Sequence, residues 1–345
     1  MSRPELRIDG ERFVANLAAV RARIAPSELM LVMKDDAYGH GLTWAVEAAE
    51  DAGVGWYGGY DIKGALEIRS VLERPARVFA WATSTDTEID AALLQHVDLG
   101  VGTAEYLSRV VQRATVLGAR ARVHLKIDTG LHRNGVRLED WSAFVEDARA
   151  AEAAGAVELV GVWSHLAEAS DAEDDDARRV FLDAIALTNR TGAAAQWQHL
   201  TASAASWWRP ELRGSLSRIG AFCYGIRSAD GPVLEGVEPI AELTATVVAV
   251  DGAAAVIGIG SFDGLPSTLA GLPVGTAHGV AALSSIRHTT SVVTGARLVQ
   301  GDTVWIFGRG AHGEADATTL AERIGTVGEE ILTRLTSRVR RVVAR

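Results

Sequence analysis

The chain has 345 residues, with 34 Lys plus Arg against 44 Asp plus Glu, a formal net charge of -10 and 48% hydrophobic residues. That is the composition of one large or two medium globular domains, with no basic surplus to neutralise the phosphates of a nucleic acid or an anionic membrane. Its one cysteine, Cys223, excludes an internal disulfide framework and any multi-cysteine metal site, so no metal is expected.

The N-terminal stretch MSRPELRIDGERFVANLAAVRARI carries charges every few residues and lacks the apolar core of a secretory signal, which predicts a cytoplasmic address. The longest apolar runs, such as ATVVAV at 245–250, are far short of a membrane span. Eight short apolar runs then read as strands: LMLVMK (29–34), VGWYGGY (54–60), RVFAWAT (77–83), VDLGV (97–101), RVHLKIDTG (122–130), ELVGVWSHL (158–166), QWQHLT (196–201) and RIGAFCYGI (218–226). Alanine-rich segments with apolar residues at three- and four-residue spacing lie between them, for example DIKGALEIRSVLE and DWSAFVEDARAAEAAG. Strand then helix, repeated about every 27 residues, predicts a (β/α)8 barrel. No GxGxxG follows the first strand, against a doubly wound sheet. The acidic run DAEDDDARR (171–179) reads as a solvated helix entry. After Gly236 the pattern turns to β-branched, turn-rich segments, so residues 1–235 are assigned to an α/β barrel domain and 236–345 to a mostly β domain with a terminal helix.

Among the 34 basic residues only Lys34, Lys63 and Lys126 are lysine. Arginine replaces lysine wherever a plain positive charge suffices, but it cannot serve as a nucleophilic amine. Lys34 closes the first barrel strand, where function gathers in such barrels. Burial there would lower its pKa and make it a nucleophile; the alternative is a strand-end lysine reaching out to water. Lys126 stands two residues before Asp128 and reads as a nucleophile or a plain ion pair.

KDDAYGHG (34–41), HLKIDTGLHRNG (124–135), WSHLAEAS (163–170), HLTASAA (199–205), SRIGAFCYG (217–225), GDTVWIFG (301–308) and EEILTRLTSRVRRV (329–342) together resemble the successive motifs of the alanine racemase family, in family order and over essentially the whole chain. The resemblance implies a pyridoxal 5'-phosphate (PLP) enzyme that interconverts L- and D-amino acids by deprotonation at Cα. It also implies a homodimer whose sites join one barrel to the partner's β domain. Lys34 matches the lysine that holds PLP covalently and acts as acid and base on one face of the substrate. Tyr38, Ser203, Gly220 and Tyr224 match phosphate-pocket positions, and His165 the histidine beside the cofactor ring. Arg218 matches the arginine facing the pyridine nitrogen, and Arg133 the one near the substrate carboxylate. Lys126 matches a lysine often carbamylated to become that arginine's anionic partner. A guanidinium cannot accept a proton from the ring, so Arg218 should leave the pyridine unprotonated and the carbanion short-lived, which suits racemisation over transamination.

Two stretches depart from the family pattern. The family's opposite-face base is a tyrosine in IGYxDGxP, and the stretch here is Ile259-Gly260-Ser261-Phe262-Asp263-Gly264-Leu265-Pro266, with Ser261 in the tyrosine position. An unassisted serine hydroxyl has a high pKa and lacks the phenol's reach. Ile286 and Arg287 stand where a Met-Asp pair commonly shapes the carboxylate end of the substrate site, and Ala202 replaces an asparagine. Asp263 is expected to keep a turn-forming role. His278 and His288 are candidate replacement bases, or ordinary side chains of the β domain. Three functions stay open: a racemase with an altered second base; a one-base PLP enzyme using Lys34 alone, as decarboxylase, aldolase, lyase or α-proton exchanger; and a noncatalytic PLP-binding protein.

Overall fold

A computed structural model describes residues 3–193 and 195–344. The chain falls into two compact units. One comprises Val20–Lys34 and Ala49–Gly220; the other comprises the residues up to Ala19, Asp35–Ala48 and the chain from Ala221 onward.

The chain's first strand, β1 (Glu5–Asp9), belongs to the second of these units. The first unit holds β2 (Glu28–Val32), β3 (Trp56–Gly59), β4 (Arg77–Ala80), β5 (Asp98–Val101), β6 (Ala121–Lys126), β7 (Val157–Trp163), β8 (Trp197–His199) and β9 (Leu216–Ile219). These are the eight strands expected from the sequence, all parallel, in the order β8-β7-β6-β5-β4-β3-β2-β9. The two ends of the sheet meet, because Arg218 N donates to Thr201 O (3.4 Å) and Gln198 N to Ser215 Oγ (2.9 Å). A parallel sheet needs helical crossovers, and they are well signalled. Thr103 caps Ala104–Leu117, Ser170 caps Asp171–Arg190, and Thr85 with Glu88 forms a reciprocal capping box on Asp86–Leu94. Each such cap contributes about 1 kcal/mol. The acidic run opens Asp171–Arg190 as expected, with Arg209 bonded to Asp171 and Asp175.

Met30, Trp56, Phe79, Val160, Trp163 and Leu216 form an apolar cluster in the barrel core. Polar groups are buried there too: Asp98, His124 and His199 at 0% exposure and Arg218 at 4%. Asp98 is their negative terminus, bonded to Arg77 (2.6 Å), Arg122 (2.5 Å) and His124 (3.3 Å). Burial pushes its carboxyl up, but the bond to His124 and the charges of Arg122 and Arg77 outweigh burial and hold it below its ordinary value.

The second unit is built on an eight-stranded sheet. Its strands are β1, β10 (Ala241–Asp251), β11 (Ala254–Ile257), β12 (Pro273–Thr276), β13 (Gly279–Ile286), β14 (Ser291–Thr294), β15 (Thr303–Phe307) and β16 (Arg340–Ala344), in the order β11-β14-β13-β12-β15-β10-β1-β16. The expected terminal helix is short, Gly328–Thr333, and the described chain ends instead on β16, parallel to β1. EEILTRL has helical spacing, but the β-branched pair Val342 and Val343 finds a sheet edge, and pairing there overrides local propensity.

Asp98→Ala is expected to destabilise the protein by about 3–5 kcal/mol, because it strands buried cationic partners. Urea unfolding at pH 7 measures this. A carboxylate with a lowered folded pKa stabilises above its unfolded value and loses that contribution as pH falls through the folded one, so the deficit should shrink below about pH 4.

Candidate active site

Lys34 lies one residue beyond Met33, just past the C-terminal end of β2, and is half-buried. The chain then makes an unusual turn: Asp35, Asp36, Ala37 and Tyr38 all have φ between 53° and 55°. Four consecutive non-glycine residues in the left-handed region cost about 1–2 kcal/mol each. Gly39 N closes the turn on Asp35 O (2.8 Å) and Gly41 N on Asp36 O (3.0 Å), and Arg341 Nε donates to Gly39 O (3.1 Å). Tyr38 ends it buried against Tyr224, ring centroids 5.2 Å apart. Burial and the Glu329 charge raise the Tyr38 phenol above its ordinary value. His40 stacks on Tyr224 at 5.1 Å and is lowered by burial to about 4.

In the first unit, four cations converge on one histidine. His165 is lowered to about 3 by burial and then by the charges of Arg218, Arg133, Lys126 and Lys34, so it is neutral throughout the physiological range. The Ser164 hydroxyl anchors the segment that carries it, donating to Ile127 O (2.7 Å) and lying 2.9 Å from Thr129 Oγ1. Arg218 reaches the same place from β9. Nη1 donates to His199 Nδ1 (3.1 Å) and His199 O (2.9 Å); Nη2 donates to Ser164 O (2.8 Å), His165 Nδ1 (3.2 Å) and Leu200 O (3.2 Å). All these acceptors are neutral. Burial, opposed by the Glu168 charge and reinforced by Arg133, lowers the guanidinium to about 9, which leaves it protonated at neutral pH.

Lys126 ends β6, 5% exposed, its Nζ 4.5 Å over the Trp163 ring. The plain ion pair with Asp128 is not formed; that carboxylate binds the backbone N–H groups of Gly130 and His132 and the His132 ring (2.8 Å). Asp128 thereby shapes the loop that carries Arg133, with Gly135 at φ 130° where a Cβ would lie 2.7 Å from Asp128 N. Burial, then Arg133 and Arg218, lower the Lys126 amine to about 8. Ser203 begins the short helix Ser203–Trp208, and its hydroxyl accepts from Gly220 N (3.3 Å).

The remaining predicted residues lie in the second unit. Tyr38 and Tyr224 each stand four residues along the chain from Lys34 and Gly220. Ser261, exposed like Phe262, opens the turn Ser261–Asp263, its N–H donating to Arg287 O (2.8 Å), while Phe262 N donates to His288 O (2.8 Å). Asp263 is the turn former expected, accepting from Gly260 N (2.8 Å) and Arg338 Nε (2.8 Å). The Phe262 and His288 rings are 4.9 Å apart. Ser261, Arg287 and His288 are therefore neighbours, with half-buried Ile286 closing β13 beside them, whereas His278 sits in the β12–β13 hairpin. Asp98, His124 and His199 were not singled out in the sequence. Alternation along β6, with His124 two residues before Lys126, was the available signal.

A parallel barrel with a lysine just past one strand's C-terminal end, and a buried arginine bonded to neutral histidines and, among the described residues, to no acid, suits an enzyme that holds PLP through an amine in a barrel-plus-β-domain chain. The donor set fits the cofactor's phosphate and ring and an amino-acid carboxylate. The chain belongs to the alanine racemase family, PLP-dependent isomerases acting on amino acids: it matches "Alanine racemase, N-terminal domain" over residues 8–228 and "Alanine racemase, C-terminal domain" over 243–343. It is 33% identical over 366 residues to the alanine racemase of Thermobifida fusca, covering 98% of this chain and 97% of that one. With that of Beutenbergia cavernae it shares 34% over 367 residues, covering 97% and 96%. Among solved structures it superposes on alanine racemase from Streptomyces coelicolor A3(2) with a TM-score of 0.92 at 29% identity, covering 99% of this chain and 98% of that one. For the enzyme from D-cycloserine-producing Streptomyces lavendulae the TM-score is 0.91 at 30% identity, with 100% and 98% covered. No helix among the described residues is long and apolar enough to cross a membrane, and none of their His, Cys, Asp and Glu side chains group to hold a metal ion.

An amine at about 8 loses its charge above that pH, so acylation of Lys126 in the coenzyme-free protein should rise with a midpoint near pH 8, read by peptide mass spectrometry. A midpoint above 10 would contradict the burial argument.

Proposed function

We propose that this protein racemises an amino acid with Lys34 as acid and base on one face of Cα and a second group, not tyrosine, on the other. The observation that carries the reading is the bond from the buried Arg218 to the neutral His165 (3.2 Å), with the Lys126 amine 4.5 Å over the neighbouring Trp163 ring. When bound, PLP withdraws electrons from Cα and so makes its proton removable. Lys34 would hold the cofactor and move that proton; Ser203 and Gly220, with the family positions Tyr38 and Tyr224, answer to the phosphate. Arg133 would bind the substrate carboxylate, and Arg218, a donor that cannot take a proton away, would face the ring nitrogen. Lys126, neutral in part near pH 8, can take up carbon dioxide as a carbamate and so supply the negative charge that Arg133 and Arg218 lack.

Each site would be completed by the Ser261 turn of a partner subunit, in a homodimer working in the cytoplasm. The contact of His288 with Phe262 makes His288, rather than His278, the candidate for the proton on the second face. Arg287 beside it would admit a substrate bearing an additional acidic group. The short hydroxyl of Ser261 also supports a second reading, in which Lys34 acts alone and exchanges or cleaves at Cα on one face.

Incubation with individual amino acids in D2O, followed by chiral analysis and mass spectrometry, separates the two: deuterium with inversion supports the racemase, deuterium with retention or new products the one-base enzyme. No exchange with any amino acid would overturn both. His288→Gln should lower racemisation by about 10²-fold or more while leaving coenzyme absorbance intact. Ser261→Tyr should raise alanine racemisation, and Lys34→Ala should abolish the visible absorbance of bound coenzyme.

A further inference from the structure

The polar groups inside the barrel form one continuous chain. His165 Nδ1 is 3.2 Å from Arg218 Nη2, Arg218 Nη1 3.1 Å from His199 Nδ1, His199 Nε2 2.9 Å from His124 Nδ1, and His124 Nε2 3.3 Å from Asp98 Oδ2. Its fixed ends dictate every proton along it. A guanidinium only donates, so Nδ1 of His165 and of His199 accept, and both rings carry their proton on Nε2. His199 then donates to His124 Nδ1, which places the His124 proton on Nε2, facing a carboxylate that only accepts.

The surroundings keep this chain dry and straight. Gly161 on β7 stands opposite His124, and a Cβ there would lie 2.7 Å from His124 Nδ1 and 2.6 Å from Trp197 O. The Trp163 ring lies parallel to His199, at 8° and 5.8 Å, and Phe79 packs 4.7 Å from His124 and 5.3 Å from His199. The charges facing each member are few. Asp98 meets Arg77 and Arg122, which also face His124, and feels the charge of Arg69. Among the described residues the charges acting on His199 are those of His124 and Arg218, and on His165 those of Arg218, Arg133, Lys126 and Lys34.

We propose that Asp98 and His124 are positioning residues for Arg218, forming with His199 a polarised hydrogen-bond relay that holds the guanidinium in one orientation toward the coenzyme ring. The anionic end orients the His124 dipole, which orients that of His199 and makes its Nδ1 a stronger acceptor than a lone imidazole. The role toward the coenzyme rests on the proposed function; the relay itself does not.

Two measurements decide it. In protein with 15N-labelled histidine, free of coenzyme, the ring nitrogens of His124, His199 and His165 should show the neutral form protonated on Nε2, unchanged from about pH 6 to 9. An Nδ1–H form, or titration of His124 or His199 in that range, overturns the relay. In the loaded enzyme, His124→Leu should slow α-deuterium exchange in kcat by about tenfold or more with KM little changed, and shift the pH profile of coenzyme absorbance. His124→Asn, whose amide oxygen stands where Nδ1 was, should recover the His199 signal and most of the rate. A folded, coenzyme-loaded His124→Leu protein with kcat within twofold of the parent and the same absorbance profile refutes the positioning role. Should the leucine variant not fold, the parent's nitrogen spectrum and the asparagine variant decide. A parent that binds no coenzyme fails the functional reading alone, because the nitrogen spectrum still judges the relay.

Discussion

The structure turns on a buried guanidinium. Arg218 is 4% exposed and shares its side-chain N–H groups among carbonyls and imidazoles, with no acid bonded to it among the described residues. Burying a cation in this way is costly unless its donors are all met and an anion or lone pair arrives later. The Ser164 and Leu200 carbonyls and the two histidines have to be where they are for Arg218 to be tolerated. The same requirement keeps His165 and His199 neutral. A site assembled around an arginine that is stable only when fully hydrogen-bonded is rigid before any ligand enters, which is the condition for electrostatic preorganisation.

The lysine distribution follows a related logic. Arginine takes every cationic position except three, and two of those three, Lys34 and Lys126, lie among the groups around His165. Under the proposed function an amine is needed at each, because a guanidinium can neither bond covalently to carbon, as proposed for Lys34, nor lose its charge at about pH 8, as Lys126 does. Most departures from the family pattern gather elsewhere, on the Ser261 turn and at Ile286 and Arg287 beside it. In the barrel unit Ala202, just before Ser203, is the departure noted, so the family's motifs are kept more fully there than on the Ser261 turn.

The barrel was legible because parallel strands buried on both faces read as short apolar runs, and all eight appear where those runs lie. The residues proposed to hold the cofactor were picked out through motifs alone. Asp98, His124 and His199 were not, since they meet only when β5, β6 and β8 are set side by side, and single histidines in apolar runs look alike. The left-handed turn was half visible: aspartates tolerate that backbone and glycines follow, but Ala37 and Tyr38 give no hint of it. The terminal helix forms where its spacing lies, but the strand after it went unread because its partner, β1, lies more than three hundred residues away in sequence.

That pairing bears on how the protein is made. β1 leaves the ribosome before the barrel strands, yet its two neighbours, β10 and β16, are made after all of them. By the time Gly220 is out, every barrel strand is available to close, while β1 still has both edges bare. Unpaired edges invite pairing with the wrong strand, and contacts so distant in sequence form slowly. During translation β1 is therefore exposed to mispairing until β10 and β16 follow it, and the pairing of β16 completes the second sheet.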